Sequence, residues 1–387
     1  MDHEAIVPVV RPAAQELYFA DAPLRTSDDF GKWSDVRKFL TLIGYGQVLN
    51  FATRLRPHGG TGMFKGIQTI ARIKPASCKN GMIFVNAGSD PDYDDAITLD
   101  ALAAGDFDHS KLSFAVLSKL DFSRIAPCDI ELTTVTPIGI GASVGSSAAI
   151  LVSILRAFLG SGYPAEEIAK LALDAEFRIA GRNTGNQDHI ASAWGSHCYP
   201  SACQSIVVNN LFDFSVRSLN VRHRIRDVFR YTLAIHLGSH DSSDIHWQLM
   251  EELSTDDELA KQKLLAMRQV VNVAEEAIIE DDDRKFRQAC DLLLDAQRNL
   301  SPMLINQQAE DLICIASQTP GVGGAIEFDG ACIPGAGGLG GTVILHLRDE
   351  VAIRNFVQKI KDYDSFDGCR IYEVRLADEP IYDYCED

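Results

Sequence analysis

The sequence predicts a protein of helices and antiparallel strands arranged in two domains. Three observations carry that expectation. The 387 residues exceed what one typical core organises. Between Ile67 and Leu99, short alternating runs such as Ile67–Ile73 and Met82–Val85 read as strands separated by turns, which implies antiparallel sheet. Ala165–Ile179, by contrast, is amphipathic at helical spacing, with Ile168, Leu171 and Leu173 on or near the buried stripe.

Taken in order, residues 1–20 are a lead-in that includes one strand. The stretch Arg54–Lys65 sets three cations and a histidine among glycines, and reads either as an exposed hairpin turn or as a phosphate clamp. The acidic run Asp90–Asp108 is a solvated face. From Ser146, Ala, Ile and Leu recur at helical spacing, with serine available as a cap. A further turn and helix cover Gly185–Gly195, and Val207–Val216 reads as one strand. The strand Tyr231–Leu237 opens a second unit, so the domains are placed at 1–224 and 225–387. Helices follow over Leu265–Glu280 and Asp283–Asn299 and on to Ser317, then a glycine-rich loop and strand over Gly330–Leu347. The Asp362–Asp387 tail has aromatic and acidic residues and no assignment.

A net charge of −18 opposes nucleic acid or an anionic membrane surface as the main partner. Nine cysteines, odd in number and without CxxC spacing, indicate neither a disulfide framework nor a zinc knuckle. Met1–Ala5 has no basic region leading into an apolar run, and nowhere do about eighteen apolar residues run together. A cytoplasmic protein with reduced thiols is expected; dimerisation stays open.

The most informative stretch is Gly139-Ile-Gly-Ala-Ser-Val-Gly-Ser-Ser-Ala148. Small residues up to Gly145 run into a helix N-terminus, where unpaired backbone N–H groups and the helix dipole favour an anion. No lysine follows Gly145, which argues against a Walker A loop. Gly139-x-Gly141 continues Ala-Ser-Val, a weak match to a dinucleotide fingerprint. The segment resembles instead the phosphate motif of the GHMP kinase superfamily, P-x-x-x-G-L-G-S-S-A. Gly139 stands at the proline place, Ser143 replaces a glycine and Val144 a leucine.

Other segments resemble the sugar-phosphate branch of that superfamily, in order. They are Ala22-Pro-Leu-Arg25, Gly46-Gln-Val-Leu-Asn50, Gly185-Asn-Gln-Asp188 with Glu176 twelve residues upstream, Gly238–His246, Arg298–Asn306 and Gly330–Leu347. The resemblance implies an α+β, two-domain GHMP kinase fold, with an N-terminal phosphate-binding α/β domain and a C-terminal ferredoxin-like domain. It further implies ATP and Mg²⁺ as cofactors. ATP would be held by Gly139, Gly141, Ser143, Gly145, Ser146 and Ser147 and by Gly335, Gly337 and Gly338 of the last loop. Asp188 would be the catalytic aspartate and Arg25 the cation beside the reacting phosphate. Glu176 and the Ser147 hydroxyl would hold Mg²⁺, and Asp35, Ser242 and Ser243 the substrate. The chemistry suits those residue types: phosphoryl transfer to a hydroxyl needs a hard cation on oxygen ligands and a group that orients the hydroxyl and takes its proton.

Several positions depart from the pattern. The turn Ser27–Asp35 has one glycine where relatives have three, Asp241 stands where arginine is commoner, and Cys332 and Pro334 take the usual lysine and threonine places. The alternative readings are a helix-capping acid for Asp188, an exposed helix acid for Glu176 and a structural turn for the last loop. The resemblance implies a kinase for a small-molecule sugar phosphate, acting on the anomeric hydroxyl of a heptose 7-phosphate or longer sugar phosphate. The rivals are a catalytically degenerate ligand-binding protein of the same fold and a related decarboxylase. His236, His240 and His246 fit no metal-ligand spacing.

Overall fold

The structure, a computed structural model, describes residues 31–36, 38–44, 46–60, 66–86, 95–122, 128–136, 138, 145–160, 162–182, 184–196, 202–238, 243–254, 257–324, 328–333 and 341–377; at 31–44, 73, 75, 86, 243–247, 250, 257 and 328–329 the description is confined to the backbone. The elements begin with β1 (Gly31–Val36), β2 (Lys38–Gly44), β3 (Gln47–Pro57), β4 (Ile67–Pro75), β5 (Met82–Asn86) and β6 (Asp95–Thr98). Next come α1 (Leu99–Ala104), α2 (Leu112–Leu117), β7 (Cys128–Val135), α3 (Ser146–Leu159), α4 (Ala165–Asp174), a π-turn (Ala175–Ile179) and α5 (Gln187–Trp194). Then follow β8 (Cys203–Asn210), β9 (Asp213–Leu219), α6 (His223–Arg230), β10 (Thr232–Gly238), α7 (Ser243–Ser254), α8 (Asp257–Glu280), α9 (Asp283–Leu300) and α10 (Gln307–Ser317). The chain closes with β11 (Phe328–Cys332), β12 (Gly341–Leu347), α11 (Glu350–Ile360) and β13 (Arg370–Leu376).

Two compact units result. The first comprises Met1–Asp35, Ile67–Val135 and Ile150–Thr184, and the second Val36–Gly66, Thr136–Ala149 and Gly185–Asp387. The sequence-predicted boundary at 224/225 falls inside the second unit, within α6.

The first unit is built on a five-stranded sheet in the order β1-β4-β7-β5-β6. β5 and β6 pair antiparallel, as expected for the Ile67–Leu99 stretch, and β4 pairs antiparallel with β7 along its length. β5 and β7, however, are parallel, a pairing with a strand beyond the stretch for which antiparallel sheet was expected. The chain leaves β5 through β6, α1 and α2 before returning as β7, a crossover that permits parallel pairing where a hairpin would not.

The second unit holds an eight-stranded sheet with the path β11-β12-β10-β13-β3-β8-β9, and β2 also on β3. Its last four strands lie in the order β11-β12-β10-β13, all antiparallel, with helices after β10 and after β12. That is the ferredoxin-like arrangement. β3 joins it to the rest of the sheet at Ala52, whose N–H donates to Ala202 O (3.0 Å) and whose C=O accepts from Ala377 N (2.8 Å). One face of the sheet buries Leu49, Phe51 and Val374 with residues of α8 and α9. Phe51 there lies 5.0 Å from Phe229 and 5.6 Å from Phe286, ring centre to ring centre. The predicted single strand Val207–Val216 is instead a hairpin, because the Asn210 side chain accepts from Phe212 N and Asp213 N (both 3.0 Å) and turns the chain.

Candidate functional site

In the second unit, the phosphate-loop residues that are described cluster at the head of α3. Gly145 has φ +63°, a left-handed conformation that favours glycine, and its carbonyl accepts the first helical bond from Ala149 N (3.0 Å). Ser146 follows at 5% exposure. Its Oγ has no hydrogen-bond partner among the described residues. Leaving such a hydroxyl unpaired costs about 1–3 kcal/mol, and this one sits at the positive end of a fourteen-residue helix. A phosphate oxygen would satisfy both the hydroxyl and the dipole. Ser147 is half-buried beside it.

Asp188 lies in the first turn of α5, half-buried, and its backbone carbonyl accepts from Ser192 Oγ (2.7 Å). The N-cap position belongs to Asn186, two residues earlier, which makes no side-chain cap. Asn186 is 4% exposed. Its Nδ2 instead donates to Leu211 O (2.8 Å) and Asn210 O (3.2 Å), fixing the entry to α5 on the β8–β9 turn. Sequence reasoning assigned Asn186 nothing; its only signal was an amide just before a helix, which reads as an ordinary cap.

In the first unit, Glu176 is not an exposed helix acid. It is 3% exposed and lies in the π-turn that ends α4, where Ala180 N bonds Ala175 O (2.9 Å). Such turns concentrate at functional sites. Two residues before it, Asp174 is buried and paired with Lys119 and, at 2.9 Å, with Arg178. No local pattern marks the Lys119–Asp174 pair, whose members are 55 residues apart.

Cys332, at the usual lysine place, ends β11 fully buried in the second unit's core, and burial pushes its thiol up to about 12. It is therefore uncharged at neutral pH, and the position faces packed side chains. Asp35 lies on β1 and Ser243 begins α7, both described in backbone only. Arg25, Gly139, Gly141, Ser143, Ser242, Pro334, Gly335, Gly337 and Gly338 lie outside the described residues. Among the described residues no group of three or more His, Cys, Asp or Glu could hold a metal ion, and no helix is long and apolar enough to cross a membrane.

Comparison with known proteins gives this arrangement a class. Residues 111–196, spanning α2 through α5, match the family model of the GHMP kinases N terminal domain. No curated protein matches the chain. Among solved structures, the L. major mevalonate kinase in complex with R-mevalonate aligns with TM-score 0.64 at 14% identity, over 93% of this chain and 99% of that one. A D-glycero-D-manno-heptose 1-phosphate kinase from Bacteriodes thetaiotaomicron gives 0.59 at 15% identity, over 90% and 97%. The Lactococcus lactis galactokinase complexed with galactose gives 0.60 at 14%, over 90% and 94%. The chain has the GHMP kinase fold.

Proposed function

We propose that this protein is an ATP- and Mg²⁺-dependent small-molecule kinase with an alcohol group as acceptor. The observation that carries this reading is the head of α3, where a left-handed Gly145 leads to a buried Ser146 hydroxyl without a partner among the described residues. The matched family segment and the kinase neighbours support it.

ATP supplies the transferred phosphoryl group and Mg²⁺ neutralises its charge. Gly145, Ser146 and Ser147, with Gly139, Gly141 and Ser143, hold the phosphates through backbone N–H groups and hydroxyls. Gly335, Gly337 and Gly338 contribute a second small-residue turn. Glu176 and Ser147 offer oxygen ligands to the metal. Asp188 orients the acceptor hydroxyl and receives its proton, and Arg25 steadies the negative charge that develops.

The acceptor is a sugar phosphate, held by Asp35, Ser242 and Ser243; the anomeric hydroxyl of a heptose 7-phosphate or a longer sugar phosphate is the first candidate. Sequence motifs of the sugar-phosphate branch and the heptose kinase neighbour support it. ADP release across seven- and eight-carbon sugar phosphates tests this: release with one of them and not with mevalonate or homoserine is expected. Release with none, together with nucleotide binding in a calorimeter, favours the degenerate binding protein instead, a reading that the uncharged Cys332 supports.

A further inference from the structure

β4 carries Ile67, Thr69 and Ala71 on one face, all buried. Beside it β7 buries Ile130, Leu132 and Thr134, with Thr134 directly opposite Thr69 and Leu132 opposite Ala71. Two threonines therefore interrupt a face that is otherwise aliphatic. Valine has the shape of threonine without the hydroxyl, so packing alone does not account for them.

A third hydroxyl meets them from α3. Thr69 Oγ1 lies 2.9 Å from Thr134 Oγ1 and 2.5 Å from Ser153 Oγ, and Ser153 Oγ donates to Ile150 O (2.9 Å). A carbonyl only accepts, and a hydroxyl has one proton. Ser153 therefore accepts from Thr69, and Thr69 from Thr134. Exposure is 0% at Thr69, 6% at Thr134 and 0% at Ser153. The hydrogen bonds run from β7 through β4 to the backbone of α3, all within the first unit.

What these bonds add to the apolar contact is direction. Burial of aliphatic side chains is non-directional and tolerates a small slide or rotation of a helix on a sheet. A hydrogen bond does not, because it weakens steeply away from its preferred angle. α3 is one helix from Ser146 to Leu159. Ser153 stands seven residues after Ser146, within about 20° of two full turns and about 10 Å along the axis. Ser146 thus lies on the same side of α3 as the anchored hydroxyl, and a shift at Ser153 carries Ser146 with it.

We propose that Thr69, Thr134 and Ser153 are positioning residues for the nucleotide: their hydrogen bonds fix the register of α3, and so the place of Ser146 and Ser147 at its head. This rests on the reading of that head as the phosphate site of the kinase.

Two substitutions at Thr69 separate the hydroxyl from the packing. Thr69→Val keeps the shape and removes the hydroxyl, whereas Thr69→Ser keeps the hydroxyl and removes a methyl group. Calorimetric titration of the full chain with Mg·ATP, without acceptor and well below the melting temperature, reads affinity; thermal unfolding reads stability. Thr69→Val should bind Mg·ATP about tenfold more weakly than wild type. Thr69→Ser should melt lower than wild type and bind Mg·ATP within about twofold of it. Ser153→Ala, at the other end of the same bond, should lose affinity as Thr69→Val does, and the double variant should lose no more than either alone. If the hydroxyls only stabilised the fold, affinity would follow melting temperature instead. The proposal is overturned if Thr69→Val or Ser153→Ala binds Mg·ATP as wild type does, or if Thr69→Ser loses as much affinity as Thr69→Val. Wild type that binds no Mg·ATP overturns the kinase reading, and this proposal with it.

Discussion

The side-chain amide of Asn186 donates to the backbone carbonyl of Leu211 at 2.8 Å, and this bond, with its companion to Asn210, holds the residue two places before Asp188. An amide is needed because both partners are acceptors. Asn186→Ala should lower kcat about 10–100-fold with little change in the KM for ATP, and Asn186→Asp should be worse, since a carboxylate would face two carbonyls. Steady-state kinetics check the order Asn, Ala, Asp. Equal activity in all three would remove the positioning role.

Ser146 should behave unlike an ordinary buried serine. Its hydroxyl has no partner among the described residues, so Ser146→Ala should leave stability unchanged or raise it by up to about 1 kcal/mol. ATP affinity should fall about tenfold, the loss of one charge-assisted contact. Urea unfolding and calorimetric titration read the two effects separately. Undiminished ATP affinity would take Ser146 out of the phosphate site.

The Lys119–Asp174 pair is nearly buried, with side-chain exposures of 11% and 10%. Lys119→Met should cost about 3 kcal/mol, because the Asp174 carboxylate would keep only the more exposed Arg178. Glu176 stands two residues on, in the π-turn, so the variant should also need more Mg²⁺ for half-maximal activity. Urea unfolding and a metal titration check these, and an unchanged metal titration would uncouple the pair from Glu176.

His346 predicts an acid limit to stability. Burial, and then the charge of Arg287, push it down from 6.5 to about 3. Thr232 Oγ1 donates to Val228 O (2.8 Å) and so accepts from His346 Nδ1–H (2.8 Å), which fixes the neutral tautomer. Between those two pH values the unfolded chain binds the extra proton, so stability falls as pH drops, by up to about 1.4 kcal/mol per pH unit from this group. His346→Gln should flatten that slope in urea unfolding measured from pH 7 to pH 4. An identical slope would show that other groups set it.

Much of the fold was legible because pattern and position agreed. Ser146–Leu159 and Ala165–Asp174 formed helices where apolar spacing placed them, and β4 and β5 followed the alternating runs. β13 was missed although Tyr372, Val374 and Leu376 alternate with charged neighbours. That run has no turn partner nearby, and its strand partners β3 and β10 are distant in sequence. Of the proposed site, the motif order that singles out Gly145, Ser146, Ser147, Glu176 and Asp188 lies in the sequence itself. Their supports do not: Asn186 to Leu211 and Lys119 to Asp174 are tertiary contacts that no local pattern records. The burial of Glu176 was equally invisible, since an acid near a helix end usually faces water.

The kinase reading is tested most directly by the Asp188→Asn variant, assayed for ADP release with the best sugar phosphate and titrated with ATP in parallel. Turnover should fall by about 10³-fold or more while ATP affinity stays within about threefold of wild type. Turnover at the wild-type rate would contradict the account.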